Sequence, residues 1–310
     1  MSRLTILPLL IGASLHAAAA LAGDPRIESI GDSEFGFDLG DSRIRVEISD
    51  RVLREKKDML LDWVVYSAEA VEHYYRRFPV RSVDIDLQVA GGYAVRFGQA
   101  FGGERPRLRI VVGEDITPEK LHEDWIMVHE MVHLAMADVP RSQRWLLEGL
   151  ATYVESIARA QRGYLSEDFV WNGFINRMPQ GLPKTGDRGL DHTPTWGRTY
   201  WGGAIYCLLA DIEIRKRSDN EKSLRDALRG VLDAGLSMHA SATAMEVFEA
   251  GDAAIGMDVL VPLYENMKAD PYPVDLDALW RKLGVGMQDD RVVYDDDAPL
   301  AYIRKRLFKS

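Results

Sequence analysis

The pentapeptide His129–His133, with the pattern H-E-x-x-H, constrains this chain more than any other stretch. On an α-helix, residues four apart lie on one face, so His129 and His133 direct two imidazoles to the same point. Glu130 lies about 100° round such a helix, where its carboxylate reaches a water beside an ion without binding the ion itself. The pattern therefore predicts a helix with two histidine metal ligands and a neighbouring base. A structural helix that carries these residues by chance is the alternative.

A second predicted helix offers the missing ligand, because a catalytic zinc site typically has three protein ligands and one water. In the segment W-L-L-E-G-L-A-T-Y-V-E (145–155), Glu148, Thr152 and Glu155 form a polar stripe beside apolar positions. Two helices joined by a short turn lie antiparallel, so we expect Glu148 to face the histidines. Glu155 and Asp138 are the alternatives for the third ligand.

Together these two segments resemble the gluzincin metallopeptidases, and within them the peptidase MA-like and glycyl aminopeptidase groups. A further stretch, Thr199–Ala204 (T-Y-W-G-G-A), is similar to the Y-x-K-G segment of those families, whose tyrosine stabilises the transition state. The matching position here is Tyr200. The chain departs from the families' pattern in two places. Only 14 residues separate His133 from Glu148, fewer than in the aminopeptidase families, which concerns the geometry of the connecting loop. Gly202 stands where the families have lysine, which concerns the role of Tyr200.

The resemblance implies a zinc-dependent metallopeptidase in which His129, His133 and Glu148 hold Zn²⁺. Glu130 is then the general base that takes a proton from the attacking water and passes it to the leaving amine. Tyr200 stabilises the oxyanion with a neutral hydroxyl. Peptides or proteins are the expected substrates. No G-x-M-E-N motif is present, so nothing in the sequence supports aminopeptidase specificity.

The expected fold is α+β: a gluzincin-like catalytic domain with a β-rich N-terminal lobe (23–115), a mostly helical lobe (116–310) and the metal site in the cleft between them. The predicted N-terminal elements are strands at 43–48, 83–89 and 107–112 and one helix at 52–78. A helix from Pro118, capped by Thr117, is expected to run through the histidines and end at 138–140. Later helices are expected at 196–217, from 223, at 241–250, 254–268 and 276–283. The apolar stretch 169–175 is interpreted as core or as the lining of a substrate pocket, and the acidic stretch 289–297 as a solvated turn.

Residues 1–22 have the pattern of a cleavable signal peptide: Arg3, an apolar run from Leu4 to Leu15, and the small-residue site Ala20–Ala22. We therefore expect a periplasmic or secreted protein, with an uncleaved anchor as the alternative. No later stretch is long and apolar enough to span a membrane.

The chain has 38 basic and 48 acidic residues, a formal net charge of −10, which argues against nucleic acid or an anionic membrane as the partner. Its single cysteine, Cys207, excludes an internal disulfide. Two other functions remain open from the sequence. One is a non-catalytic zinc-containing module that binds a peptide or protein; the other is a zinc hydrolase acting on a non-peptide bond.

Overall fold

The computed structural model describes residues 25–309. The predicted signal peptide lies outside the described residues. The described chain is built from a sheet with helices on one side, followed by a mostly helical region, and the expected α+β class is confirmed.

The sheet has six strands in the order β1-β2-β3-β4-β6-β5. Strands β3, β4 and β6 are parallel, whereas β1, β2 and β5 run antiparallel to their neighbours. Alternate residues of the three parallel strands are buried, which is the pattern of a sheet with one covered face. Among the described strands, β5 lies at the edge of the sheet and pairs with β6 alone. The strands are β1 Glu28–Ser29, β2 Glu34–Leu39, β3 Ser42–Glu47, β4 Ser82–Ala90, β5 Val95–Phe101 and β6 Arg107–Gly113.

The predicted helix at 52–78 is two helices, α1 Arg51–Arg54 and α2 Lys57–Tyr75. Helix α2 ends at Tyr75 and is followed by Arg76, which has a left-handed φ of 64°. It contacts β2 and two helices of the site region, and so links the sheet to the helical region.

The predicted helix through the histidines is also divided, into α3 Pro118–Glu123 and α4 Ile126–His133. The break lies at Asp124, whose backbone is extended. Helix α4 also ends earlier than expected, because Leu134, Ala135 and Met136 continue in tighter turns with i→i−3 hydrogen bonds. A 3₁₀ turn then leads into α5 Arg144–Gln161.

Two of the remaining helices pack directly on α5, the others pack on these or on one another, and the helices share one hydrophobic core with the sheet. The acidic stretch forms part of a hairpin rather than only a solvated turn, with Asp289 and Asp290 at positive φ in its two-residue loop. No described helix is long and apolar enough to cross a membrane. The elements are α6 Glu167–Arg177, a π-helical turn Arg198–Gly202, α7 Gly203–Arg217, α8 Leu224–Asp233, α9 Ala244–Ile255, α10 Leu260–Met267, α11 Leu276–Leu283, β7 Val285–Gln288, β8 Arg291–Tyr294 and α12 Ala301–Leu307.

Candidate functional site

The break before α4 sets the direction in which the histidines point. Asp124 accepts a hydrogen bond from the Met127 amide through Oδ2, at 3.1 Å, and so caps the new helix. Burial raises the pKa of Asp124 to about 6. Because α4 restarts here, His129 and His133 lie on the side that faces α5.

Helix α5 brings Glu148 to the two histidines. Its Oε2 lies 3.2 Å from Nε2 of His129 and 3.6 Å from Nε2 of His133. One ligand atom from each of the three residues lies within 4.8 Å of the others. Two imidazole nitrogens and one carboxylate oxygen that converge in this way could hold a metal ion, and they match in type the three protein ligands of a catalytic zinc site.

Burial and mutual hydrogen bonds shift the pKa values of all three side chains. Burial lowers the pKa of His129 to about 4, so its imidazole is neutral at pH 7. Burial also acts to raise the pKa of Glu148, but the hydrogen bonds with His129 and His133 outweigh it and leave that pKa below the ordinary value. Burial acts to lower the pKa of His133, but its hydrogen bond with Glu148 and the charge of Glu130 raise it overall. Glu148 is therefore ionised and His129 is neutral at pH 7.

The second carboxylate oxygen of Glu148 is held by Arg144, one turn earlier on α5. Nε and Nη2 of Arg144 each lie 3.1 Å from Oε1 of Glu148. Since both nitrogens bind the same oxygen, Oε2 is the oxygen left facing His129 and His133. The Arg144 side chain is 68% exposed and lies on the wall of the cavity beside the site.

The side chain of Glu130, on α4, packs against the edge strand β5, which approaches it closely at Gly98. A Cβ at Gly98 would lie 2.6 Å from Cγ of Glu130 and 2.4 Å from Cγ2 of Ile126. Only glycine permits this approach. Burial raises the pKa of Glu130, partly offset by the charge of His133. The carboxylate thus lies next to the candidate metal-binding group without belonging to it.

Tyr200 reaches the site through close packing of α5 against α7. A Cβ at Gly149 would lie 2.3 Å from Cα of Gly203, so these two glycines allow the backbones to touch. Tyr200 lies on the π-helical turn just before α7, and π turns often occur at functional sites. Its ring stacks against that of His129, with centroids 6.1 Å apart. Burial, followed by the charge of Glu148, raises the pKa of Tyr200 to about 12, so the hydroxyl keeps its proton at neutral pH.

Contacts with the preceding loop hold the turn that carries Tyr200 in place. Arg198 and Asp187 form a buried ion pair at 2.8 Å, and Arg198 also donates to the carbonyl of Gly181 at 2.6 Å.

A cavity of about 890 Å³ opens beside the site. Glu130, His133, Glu148 and Tyr200 face it, and strand β5 forms one wall. Its volume is within the range of small-molecule and peptide sites. The far end is bounded by a loop at 238–241.

The two alternative third ligands lie elsewhere. Glu155 pairs with Arg159 at 3.3 Å, and burial raises the pKa of Glu155 to about 7. Asp138 lies on the wall of the cavity, but neither carboxylate belongs to the group of converging ligand atoms. Among the described residues, Glu148 is the carboxylate that meets the histidines.

Sequence reasoning missed Arg144 and Gly98. Arg144 precedes Glu148 by four residues, and an i,i+4 pair on α5 was a usable signal for their contact. Gly98 had no such signal, because the chain positions that it brings together are 28 and 32 residues apart.

Comparison with known proteins shows likeness of fold. A scan against protein-family models and a search of curated proteins find no match to this chain. Among solved structures, an aminopeptidase N family protein from Idiomarina loihiensis is similar with a TM-score of 0.60 at 13% identity, over 89% of this chain and 53% of that one. An M1 zinc metallopeptidase from Deinococcus radiodurans aligns with a TM-score of 0.44 at 14% identity, over 80% of this chain and 53% of that one. This chain spans about half the length of these proteins and has the fold of the corresponding part of the first.

Proposed function

We propose that this protein is a zinc-dependent metallopeptidase with its metal at His129, His133 and Glu148. The observation that carries the proposal is the convergence of two imidazole nitrogens and one carboxylate oxygen within 4.8 Å, with Glu130 beside them. When bound, Zn²⁺ would acidify a water and polarise the carbonyl of the substrate.

Glu130 serves as the general base and then as the general acid. Burial raises the pKa of Glu130 towards neutral pH, and an acid–base group is most effective when its pKa lies near the working pH. In this scheme it takes the proton of the attacking water and delivers it to the leaving amine. A purely structural metal site has no need of a buried carboxylate in this position, which favours hydrolysis over a non-catalytic zinc module.

Tyr200 supplies a donor to the oxyanion. Its hydroxyl is protonated at neutral pH because its pKa is raised to about 12. A neutral donor fixed by stacking on His129 stabilises developing negative charge without reorganising. We expect Tyr200→Phe to keep zinc binding and to lower kcat by about 10²–10³-fold, the effect of removing one oxyanion donor.

A peptide is the proposed substrate because the cavity is bordered by an unpaired strand edge. Strand β5 pairs with β6 on one side only, and residues 97–101 of this strand lie on the cavity wall. An extended peptide can add to such an edge through backbone hydrogen bonds. The fold likeness to an aminopeptidase N family protein agrees with this proposal.

The test compares Glu130→Gln and His133→Ala with the wild type. We expect the first variant to bind zinc like the wild type and to hydrolyse no peptide, and the second to lose both zinc and hydrolysis. Zinc content is measured by atomic absorption and hydrolysis with a fluorogenic peptide library. Turnover by Glu130→Gln at the wild-type rate would refute the general base, and zinc bound normally by His133→Ala would refute the ligand.

A further inference from the structure

Trp196 lies four residues before Tyr200, and its ring stacks on the ring of that tyrosine. The two ring centroids are 5.6 Å apart and the ring planes differ by 25°. Residues four apart lie on the same side of a helix, so this spacing places both side chains on one face. The plane of the Tyr200 ring differs by only 18° from that of His129. Tyr200 is therefore in stacked contact with two rings, the imidazole of a candidate metal ligand and the indole of Trp196.

The indole of Trp196 is 60% exposed and lies outside the hydrophobic core. Within the part of the chain that the structure describes, Tyr200 is the one aromatic residue that it contacts. Trp196 also forms no part of the wall of the cavity beside the candidate metal-binding group. Removing the indole should therefore cost the fold little and leave the cavity wall unchanged, but it takes away one of the two rings that stack on Tyr200.

The backbone of the turn that carries Tyr200 is held in place without the indole. A Cβ at Gly197 would lie 2.3 Å from the carbonyl oxygen of Gln180, and a Cβ at Gly181 would lie 2.3 Å from the amide nitrogen of Gly202. Only glycine permits such close contacts between two backbone segments. These contacts fix the backbone but not the rotamer of Tyr200, because its side chain is only partly buried and depends on its neighbours for its orientation.

From these contacts we propose that Trp196 is a positioning residue for Tyr200, whose ring it holds so that the hydroxyl faces the cavity. The proposal rests on the proposed peptidase function, in which this hydroxyl donates to the oxyanion, and it adds the residue that orients the donor. A donor that is oriented before the reaction stabilises developing charge without reorganising. Stacking of an aromatic pair changes an equilibrium by about two- to tenfold, which sets the size of the expected effect.

The first test compares kcat and KM of wild type, Trp196→Ala and Trp196→Phe on one fluorogenic peptide. We expect Trp196→Ala to lower kcat about three- to tenfold with KM nearly unchanged, because the oxyanion exists only in the transition state. Trp196→Phe should recover most of the loss, since a phenyl ring can also stack on Tyr200. Tyr302→Ala is the control: it removes an exposed aromatic side chain on α12 and should leave kcat unchanged. A rise in KM at constant kcat in Trp196→Ala would overturn the proposal.

A double-mutant cycle separates positioning of Tyr200 from support of the fold. If Trp196 acts through the Tyr200 hydroxyl, adding Trp196→Ala to Tyr200→Phe should lower kcat less than about twofold further. An indole that supports the fold or touches the substrate would lower kcat by the same factor in both backgrounds, and that result would refute the positioning role. If Trp196→Ala does not fold, Trp196→Leu takes its place in the cycle, because leucine keeps an apolar side chain but has no ring.

Binding of a transition-state analogue provides a readout that does not depend on turnover. The probe is the phosphinic analogue of the same peptide, whose tetrahedral phosphorus carries an oxyanion in place of the attacked carbonyl. Its dissociation constant from the zinc-loaded proteins, measured by isothermal titration calorimetry, should rise about three- to tenfold in Trp196→Ala. It should change little when Trp196→Ala is added to Tyr200→Phe. Equal dissociation constants for wild type and Trp196→Ala would contradict the proposal.

The failures of the two proposals differ. If the zinc-loaded wild type cleaves no peptide, the peptidase function is wrong and the role of Trp196 falls with it. If the wild type cleaves peptides but Trp196→Ala has the same kcat, or the effects of Trp196→Ala and Tyr200→Phe multiply in full, the function stands and the positioning role is refuted.

Discussion

Replacing Arg144 by glutamine tests whether the orientation of Glu148 matters for metal binding. In the structure, Nε and Nη2 of Arg144 hold Oε1 of Glu148, each at 3.1 Å, while Oε2 faces the histidines. Glutamine keeps most of the length of the side chain but loses the charge and the paired donors. Glu148 would then be free to turn away from His129 and His133.

The expected loss follows from outer-shell partners of metal ligands, whose removal typically costs about 10–100-fold in metal affinity. That range corresponds to about 1.4–2.8 kcal/mol. Coulombic repulsion between the Arg144 guanidinium and Zn²⁺ acts in the opposite direction, because removing this positive charge strengthens zinc binding. Since Arg144 is 68% exposed, this opposing effect is screened to about 1 kcal/mol or less. We therefore predict that Arg144→Gln binds zinc roughly tenfold more weakly than the wild type.

The assay is competition for Zn²⁺ between the metal-free protein and a fluorescent chelator at fixed pH and ionic strength. Arg141→Gln is the matched control, because Arg141 is exposed in the same cavity and its side chain makes no hydrogen bond or ion pair with any described residue. Both variants lose one positive charge, but only Arg144→Gln loses contact with Glu148. Zinc affinity in Arg144→Gln equal to or greater than in wild type would refute the orienting role.

Two further predictions concern the frame of the site. Gly98→Ala should destabilise the fold by about 1–3 kcal/mol and lower hydrolysis, because its Cβ overlaps Ile126 and Glu130. Asp124→Asn should change the pH dependence of stability, since burial raises the pKa of Asp124 to about 6 from an ordinary value of about 3.9. Between these values the folded chain keeps a proton that the unfolded chain has released. The group's contribution to the free energy of unfolding therefore falls with rising pH, by on the order of 3 kcal/mol.

Urea unfolding of the metal-free proteins at several pH values between 4 and 8 checks both predictions. Asparagine keeps an oxygen for the Met127 amide but does not titrate. The free energy of unfolding of Asp124→Asn should therefore rise relative to that of the wild type as the pH increases from about 4 to 6. A constant difference would contradict the buried-acid explanation. For Gly98→Ala, wild-type stability and activity together would show that α4 and β5 have room for a methyl group.

The grouping of His129, His133 and Glu148 could be anticipated from the sequence because it depends on local rules. Spacing of four residues places the histidines on one helix face, and two neighbouring helices with a short connection bring Glu148 opposite. The alternation of apolar and polar residues likewise predicted the strands at 43–48 and 83–89, and these and the strand expected at 107–112 lie within one residue of their observed ends.

What the sequence did not predict depends on contacts between distant segments. The sequence around Asp124 favours a continuous helix, but the backbone of Asp124 is extended and its buried carboxylate accepts a hydrogen bond from the Met127 amide at the start of the next helix. The close approach of Gly98 to Glu130 exists only after the sheet and α4 have packed. In the apolar stretch 169–175, Val170, Trp171 and Phe174 are buried, as the core interpretation expects, whereas Phe169 is exposed.

Bound metal per chain is the most direct measurement of the central claim. Wild type, Glu148→Ala and Glu155→Ala are purified side by side, loaded with zinc and dialysed before the metal is counted. The account predicts about one zinc in wild type and in Glu155→Ala, and far less in Glu148→Ala, because Glu148 completes the three-ligand set. Equal zinc in wild type and Glu148→Ala, or no zinc in the wild type, would contradict it.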